Sequence, residues 1–385
     1  MQHTMDFTLS EEDQILRRTI RDFARRELAP IAAEYDERED IPLDAFRKLA
    51  GLGLTGLGID TELGGGGGGL VQVAVAIEEL ARTDPSMSLT LLASLSLTTA
   101  GIERFGTDAQ KQRYVPPLVR GEALGAFCLT EPEAGSDAGS IKTRVTCRGD
   151  VCVLSGAKTF ITNGDIADTY LVFANEDPSQ GHRGITAFIV EKDTPGLESS
   201  RQTGKMGMRA SVTANVRFEE CSVPAEQRLG EPGQGFRIAM QILDHSRPVI
   251  AAQAVGIAQG ALDLALAYVT QRQQFGQRIA DFQGVQWMLA DMATQVDAAR
   301  LLTYNAANRC DEGLPFTKEA SMAKLFASEA ATQVSTAALQ LHGGFGYFKE
   351  SIIERFFRDA KVTEIYEGTS QIQRTVIARR LLAGE

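Results

Sequence analysis

The segment RVTCRGDVCVL, residues 144–154, lies near the middle of the 385-residue chain and differs in character from the sequence on either side of it. It places β-branched and apolar residues on both sides of a Gly-Asp pair, which predicts two short strands joined by a turn. Three further segments, at 169–173, 184–190 and 214–218, are short, rich in β-branched or aromatic residues, and bounded by turn formers. The sequence therefore predicts a compact β-domain from about 125 to 228.

Helical patterns lie on both sides of this β-domain. Ser10, followed by three acidic residues, resembles a capping box, and apolar residues then recur at helical spacing as far as Pro30. Further helices are predicted at 43–52, 71–81, 108–118, 236–273, 282–311 and 317–341, with a last one from about Gln371. Helices, a β-domain and then helices again, with no repeat and no βαβ alternation, indicate an α+β fold.

Composition excludes several classes of protein. The formal net charge is -11 and basic residues are scattered, so no nucleic-acid partner is expected. The five cysteines show no CxxC spacing and the four histidines are far apart, so we expect neither disulfides nor a metal site. The apolar stretch at 89–102 looks too short and too rich in Ser and Thr to span a membrane. The N-terminus shows no targeting pattern, and the expected location is cytoplasmic.

Six consecutive glycines, Gly64–Gly69, form the most conspicuous low-complexity feature. Glycine-rich loops can bind phosphate, but the known motifs add a Lys-Ser/Thr pair or a defined strand and helix. Neither accompanies this run. The favoured interpretation is a turn between helices.

Two stretches at the start of the β-domain carry chemical groups. FCLTEPEAGSD, residues 127–137, combines an apolar strand end, a hydroxyl and a Gly-Ser turn whose amides could face an anion. KTFITNG, residues 158–164, offers an aromatic face at Phe160 and a hydroxyl at Thr162. Together they suit a flat heterocycle, whereas each one alone is typical of an ordinary loop.

The chain resembles the acyl-CoA dehydrogenase family, short- and medium-chain (butyryl-CoA dehydrogenase-like) branch. The resemblance rests on TEPEAGSD (130–137), FITNG (160–164), RQQFGQRI (272–279), QLHGGFGY (340–347) and IYEGTSQIQR (365–374), which occur in the family's order. It covers essentially the whole chain. It implies an N-terminal helical domain at 1–122, a middle β-barrel-like domain at 123–230 and a C-terminal four-helix bundle at 231–385.

The resemblance also implies an FAD cofactor between the β-domain and the C-terminal helices. Family members often carry Trp where this chain has Phe160, so the aromatic face is kept without an indole NH. Other flavin contacts would come from a neighbouring subunit of a homotetramer arranged as a dimer of dimers. The residues implied for the cofactor within the β-domain are Phe127, Leu129, Thr130, Gly135, Ser136, Phe160 and Thr162, and those elsewhere are Arg272, Gln274, Phe275, Phe282, Gln283, Gln340, Gly343, Gly344, Thr369 and Gln371.

Glu367 is the candidate catalytic residue. The reaction implied by the resemblance places an α,β double bond in an acyl-CoA thioester, with the α-proton removed by Glu367 and the β-hydride passed to flavin N5. Burial beside an apolar chain would raise the pKa of this carboxyl towards the working range. For a lone Glu here, the simpler interpretation is an acidic residue ahead of the last helix, with Thr369 or Ser370 as N-cap.

Substrate contacts are expected at Ser136, Tyr366 and Gly368, and at Asp244–Arg247. Arg247 could instead form an intrahelical ion pair with Asp244, three positions earlier, and both interpretations stay open. The acyl pocket is expected along a helix at 86–100, which holds no Arg and so argues against a dicarboxylic acyl group. Electron-transfer flavoprotein is the expected electron acceptor. The alternatives are an acyl-CoA oxidase or related oxygen-using flavin enzyme, and a non-catalytic member of the fold.

Overall fold

The computed structural model describes residues 9–384; the N-terminal residues 1–8, on which the expected lack of a targeting pattern partly rests, lie outside that range. Ser10 caps the first helix in a capping box with Asp13, as predicted. The first helix continues through a π-helical turn at Ala24–Leu28. The helices of this N-terminal part are α1 (Glu11–Phe23), α2 (Ala32–Arg38), α3 (Leu43–Gly51), α4 (Leu70–Ala81), α5 (Pro85–Leu92), α6 (Ala100–Phe105) and α7 (Asp108–Val119).

A π-helical segment, Ala93–Thr99, joins α5 to α6, so that the three form a single helical run of 21 residues. The Thr99 hydroxyl donates to the Ser94 carbonyl, five residues earlier, at 2.9 Å. This run and the longer helix at Gly235–Gln271 are long and apolar enough to cross a membrane by length and composition alone. The expectation that the stretch at 89–102 is too short was therefore wrong. The apolar windows of the two helices are 100% and 78% buried inside the protein, as in core helices.

The middle part is one eight-stranded sheet. Its strands pair in the order β6-β7-β3-β2-β4-β5-β8, and β1 pairs with β4 in parallel. The apolar strands β4 and β5 are buried along almost their whole length. The strands are β1 (Gly125–Cys128), β2 (Arg144–Arg148), β3 (Val151–Thr162), β4 (Thr169–Asn175), β5 (Ile185–Glu191), β6 (Leu197–Gln202), β7 (Thr213–Pro224) and β8 (Arg228–Leu229).

Residues 144–154 form the hairpin of β2 and β3, and this hairpin corrects the prediction that the chain has no disulfide. Cys147 lies directly opposite Cys152 in the antiparallel register, and the two form a disulfide. The expectation of no disulfide was wrong because a spacing of five residues around a two-residue turn places the cysteines face to face. The signal was present in the predicted hairpin itself.

The C-terminal part is helical and packs mainly through alanines. It contains three long helices and two shorter ones, so the predicted four-helix bundle carries one additional short helix. Tyr366 packs against both the core of this part and the core that joins the N-terminal helices to the sheet. The elements are α8 (Gly235–Gln271), the short strands β9 (Gln273–Gln274) and β10 (Gln277–Arg278), α9 (Gln283–Asp311), α10 (Thr317–His342), α11 (Ile352–Val362) and α12 (Ser370–Leu382).

The glycine run forms a tight connection between helical segments, in agreement with the predicted turn between helices. A Cβ atom at Gly65 would lie 2.1 Å from the carbonyl oxygen of Ile59, so the two backbones can approach only without a side chain. A Cβ at Gly69 would lie 2.4 Å from the Asp311 carboxylate. That carboxylate accepts hydrogen bonds from the amides of Leu70 and Val71. Asp311, the last residue of α9, therefore caps the N-terminus of α4.

We predict that Gly65→Ala destabilises the protein by about 1–3 kcal/mol, since the added methyl must displace backbone. Gly66→Ala is the matched control, because the nearest atom to a Cβ at Gly66 is 3.7 Å away. Thermal unfolding of both variants checks this. An equal melting temperature for the two variants would contradict the close approach of Gly65 to Ile59.

Candidate active site

Glu367 lies in the loop between α11 and α12, and its backbone is left-handed. Its φ is 50°, and the φ of Gly368 is 94°. A left-handed non-glycine residue is disfavoured by roughly 1–2 kcal/mol and persists only where its surroundings hold it. Here Lys324 Nζ donates to the Gly368 carbonyl at 2.7 Å, and Gln373 Nε2 donates to the carbonyls of Glu367 and Gly368 at 3.1 and 2.9 Å.

The neighbours of Glu367 fasten the same loop to the rest of the bundle. The Tyr366 hydroxyl donates to Gln253 Oε1 on α8. The Thr369 hydroxyl accepts from the Ile372 amide at 3.3 Å. Of the two residues predicted as N-cap of α12, Thr369 and Ser370, Thr369 is therefore the cap. The loop is therefore held by α8, α10 and α12 together.

The Glu367 carboxylate is asymmetric. Its Oε1 accepts a hydrogen bond from the Ser246 hydroxyl at 3.1 Å, whereas its buried Oε2 has no partner among the described residues. Burial raises the pKa of Glu367 to about 7, and the Ser246 hydrogen bond, Arg247 and Lys324 oppose that rise. Burial also lowers the pKa of Lys324 to about 8. A carboxyl with a pKa near neutrality and one free oxygen suits a general base.

Arg247 and Asp244 form the ion pair that was one of the two interpretations. The Arg247 side chain is only 5% exposed, and Asp244 also accepts from the Thr317 hydroxyl at 2.8 Å. Arg247 Nε has no hydrogen-bond partner within residues 9–384. The geometry therefore confirms the ion pair, and contact with a thioester stays a prediction for both residues.

The structure brings the two implied flavin segments of the β-domain together. The Thr159 amide donates to the Thr130 carbonyl at 3.0 Å. The buried Lys158 Nζ donates to the Leu129 carbonyl at 3.0 Å and to Glu131 Oε1 at 2.8 Å. The loop after β1 is thus fastened along β3, immediately beside Phe160.

Phe160 is presented outward from this junction. Its φ is 57° and its side chain is 69% exposed, an unusual placement for a large apolar residue. Phe127 instead turns towards the core, where its ring lies 5.0 Å from that of Phe173. Of the remaining implied residues in this region, Leu129 is buried, Thr130 and Thr162 are partly buried, and Gly135 and Ser136 are exposed.

A second group of implied residues lies just beyond the C-terminal end of α8 and at the end of α10. The Arg272 guanidinium lies 5.2 Å from the centre of the Phe345 ring, beside Gly343 and Gly344 in sequence. The rings of Phe275 and Phe282 meet edge to face at 6.1 Å, and Phe275 is 93% exposed. This group consists of Arg272, Gln274, Phe275, Phe282, Gln283, Gln340, Gly343 and Gly344, and we call it the α8-end group.

The residues present fit a flavin. The exposed Phe160 ring offers a flat apolar face at the fastened junction, and Arg272 offers a permanent cation for a pyrophosphate. Phe275 and Phe345 are exposed to a degree that an aromatic residue without a ligand or a partner rarely shows. Aromatic faces and a cation are the features that a dinucleotide cofactor requires.

Sequence reasoning missed the residues that hold the catalytic loop. Lys324 lies in SMAKLFASEA, where a lone Lys on an alanine-rich, buried stretch could have drawn attention. Gln253 and Gln373 gave no comparable signal, because a glutamine in a helix is usually solvated. Ser246 was quoted only within the Asp244–Arg247 segment.

The helical and sheet parts, the left-handed buried carboxylate and the exposed aromatic junction fit a flavin-dependent oxidoreductase. Family models for acyl-CoA dehydrogenase match the chain in three parts: the N-terminal domain at 10–122, the middle domain at 126–221 and the C-terminal domain at 233–382. The chain belongs to the acyl-CoA dehydrogenase family, and it is an FAD-dependent oxidoreductase that acts on acyl-CoA.

Individual relatives align over nearly the whole chain. The short-chain specific acyl-CoA dehydrogenase of Clostridium acetobutylicum is 45% identical over 98% of this chain and 100% of its own. The acryloyl-CoA reductase (NADH) of Anaerotignum propionicum is 47% identical over 98% and 96%. A chain in a solved structure of the electron transferring flavoprotein of Acidaminococcus fermentans is 46% identical, with a TM-score of 0.97 and coverage of 98% and 100%.

We predict that Ser246→Ala moves the pH dependence of flavin reduction by acyl-CoA upward by about one pH unit or more. The Ser246 hydroxyl donates a hydrogen bond to the charged form of Glu367. Its loss favours the protonated form and so raises the pKa of Glu367. Ser246→Thr keeps a hydroxyl and is expected to keep the wild-type profile. Stopped-flow reduction rates across the range from about pH 5.5 to about pH 9.5 measure both, and an unchanged profile in Ser246→Ala would contradict the role of this bond.

Proposed function

We propose that Glu367 is the base that removes the α-proton of a short-chain acyl-CoA. The observation that carries this proposal is the buried Oε2, which has no partner in the described part of the chain while Oε1 is held by Ser246. A carboxylate with one oxygen fixed and one free is oriented to accept a proton on the free side. With a pKa near 7, a substantial fraction of Glu367 is ionised at neutral pH and can act as a base.

FAD, when bound, accepts the β-hydrogen of the acyl chain as a hydride. Phe160 would lie against its ring system, with Thr130, Ser136 and Thr162 as nearby donors. The α8-end group would bind the cofactor's phosphates and adenosine in a second copy of the chain. Thr369 and Gln371 would bind it from the start of α12. The high exposure of Phe275 supports a homotetramer, in which that surface is covered.

The backbone of the catalytic loop would supply a hydrogen-bond donor to the thioester oxygen. Once the α-proton leaves, negative charge develops on the thioester oxygen, and a fixed amide is the usual donor to it. The left-handed turn at Glu367 and Gly368 commits both carbonyls to Lys324 and Gln373. The Glu367 amide makes no hydrogen bond within residues 9–384, and we assign it as the donor to the oxygen. Ser136, Tyr366 and the Asp244–Arg247 segment would border the CoA arm.

The acyl pocket lies along the helical run that includes the π-helical segment Ala93–Thr99. Every residue of that segment is buried, and the Ser94 hydroxyl is used by the Gly125 amide at 3.0 Å. The short-chain specificity of the Clostridium relative supports a short, uncharged acyl group. The solved structure of an electron transferring flavoprotein with a chain so similar to this one supports that class of acceptor. We infer a cytoplasmic location from the bacterial relatives.

We predict that Glu367→Gln keeps bound FAD but loses anaerobic bleaching by butyryl-CoA, by a factor of about 100 or more. Visible spectra before and after addition of substrate measure both properties. Glu364→Gln, three residues away in the same loop, is the control and is expected to bleach normally. Full bleaching by Glu367→Gln would mean that the base lies elsewhere, for example on α8.

We predict that Arg272→Gln releases FAD about 10-fold more readily than wild type, because the cation facing the pyrophosphate is lost. The exposed Arg144 gives the control Arg144→Gln, expected to retain FAD. Flavin fluorescence of the filtrate after dilution and ultrafiltration measures release. Light scattering of both variants separates cofactor loss from loss of assembly, and equal retention of FAD would place the pyrophosphate elsewhere.

A further inference from the structure

A surface cavity of about 390 Å³ lies between α1, the end of α4 and the middle of α8. Four of its six lining residues are arginines and none is acidic; we call it the arginine pocket, and its residues are Gln14, Arg17, Arg18, Arg21, Arg82 and Gln259. None of them belongs to the proposed flavin or thioester machinery. In a chain with a net charge of -11, this concentration of positive charge is unexpected.

Part of the charge is matched by one buried carboxylate. The Glu79 side chain is 1% exposed, and Arg17 Nε donates to it at 2.7 Å. Arg21 binds it with two nitrogens, at 2.9 and 2.6 Å. These bonds use Nε of Arg17 and Nε and Nη2 of Arg21. The remaining guanidinium nitrogens of both residues make no hydrogen bond within the described part of the chain.

A second carboxylate matches Arg82. Arg82 binds Asp263 at 2.5 Å, and Gln259 Nε2 donates to the other oxygen of Asp263 at 3.0 Å. The nearby Glu78 is satisfied by Arg300 at 2.9 Å and by the Tyr304 hydroxyl at 2.7 Å. Glu78 and Arg300 therefore form an ion pair that adds no net charge beside the pocket.

Arg18 has no ion pair or hydrogen bond among residues 9–384. The four arginines thus face two carboxylates, and two positive charges stay unmatched on a concave surface. Guanidinium groups bind phosphate through paired, planar N–H donors, and several such donors are free here. The fixed positions of Arg17 and Arg21, set by Glu79, prepare those donors before any ligand arrives.

We propose that the arginine pocket binds a dianionic phosphate group, with Arg18 as the residue that completes the site. This inference goes beyond the dehydrogenase function and does not depend on it. The phosphate could be inorganic phosphate or the monoester of a small metabolite, since both present the same dianion. The two ligands differ only in that the monoester carries an organic group, which the rest of the cavity would have to accommodate.

The experiment titrates the FAD-loaded enzyme with inorganic phosphate and with glycerol 3-phosphate by calorimetry, at constant ionic strength set with chloride. We expect saturable binding to wild type and about 10-fold weaker binding to Arg18→Gln. Arg18 is exposed and unpaired within the described residues, so this variant is expected to melt as wild type does. Arg144→Gln controls for the loss of a positive charge elsewhere and is expected to bind normally.

Glycerol 3-phosphate binding at least about 10-fold tighter than inorganic phosphate would identify a phosphorylated metabolite as the ligand class. Similar binding of both would identify phosphate itself. Either result supports the site. No saturable binding above the chloride background, or equal binding by wild type and Arg18→Gln, would overturn the proposal. Neither failure would affect flavin bleaching by acyl-CoA.

Discussion

The left-handed turn at Glu367 is the constraint on which the rest of the site depends. It turns the carboxylate towards α8, and it is maintained by hydrogen bonds from Lys324 and Gln373 to the loop carbonyls. Those donors come from α10 and α12, so the position of the base reflects the packing of the whole C-terminal part. A loop alone would relax out of a backbone conformation that is disfavoured by roughly 1–2 kcal/mol.

Burial and hydrogen bonding act against each other at this carboxylate. Burial alone would favour the protonated form strongly, whereas Ser246, Arg247 and Lys324 favour the charged form. Their balance places the pKa near 7, where a base can both take a proton and release it. Arg247 contributes without touching the carboxylate, because its own hydrogen bond goes to Asp244.

Much of the fold followed from local pattern. The hairpin around residues 147–152 and most helices could be predicted because turn residues and apolar periodicity are local signals. The π-helical segment at Ala93–Thr99 could not, since its apolar and hydroxyl residues suit an ordinary helix equally well. The disulfide was missed for a different reason: cysteine spacing was judged without the strand register that pairs Cys147 with Cys152.

The candidate site, like the fold, could be predicted from the sequence only in part. Glu367 and Phe160 stood out because a motif marked them, but the assignment of roles rested on family resemblance rather than on residue pattern. Two of the residues that hold the Glu367 loop, Lys324 and Gln253, come from helices more than 40 residues away. Only tertiary structure brings such residues together. The arginine pocket is a further example, since α1, α4 and α8 each supply part of it.

Exchange of α-hydrogen in D₂O tests the central claim most directly, because it reports proton removal alone. A 3-thia-acyl-CoA, with sulfur at the β-position, has an α-proton but no β-hydrogen to lose. The account predicts that wild-type enzyme exchanges this proton, faster as the pH rises through about 7, and that Glu367→Gln does not. Mass spectrometry of the recovered thioester measures the exchange. Undiminished exchange by Glu367→Gln would contradict the assignment of the base.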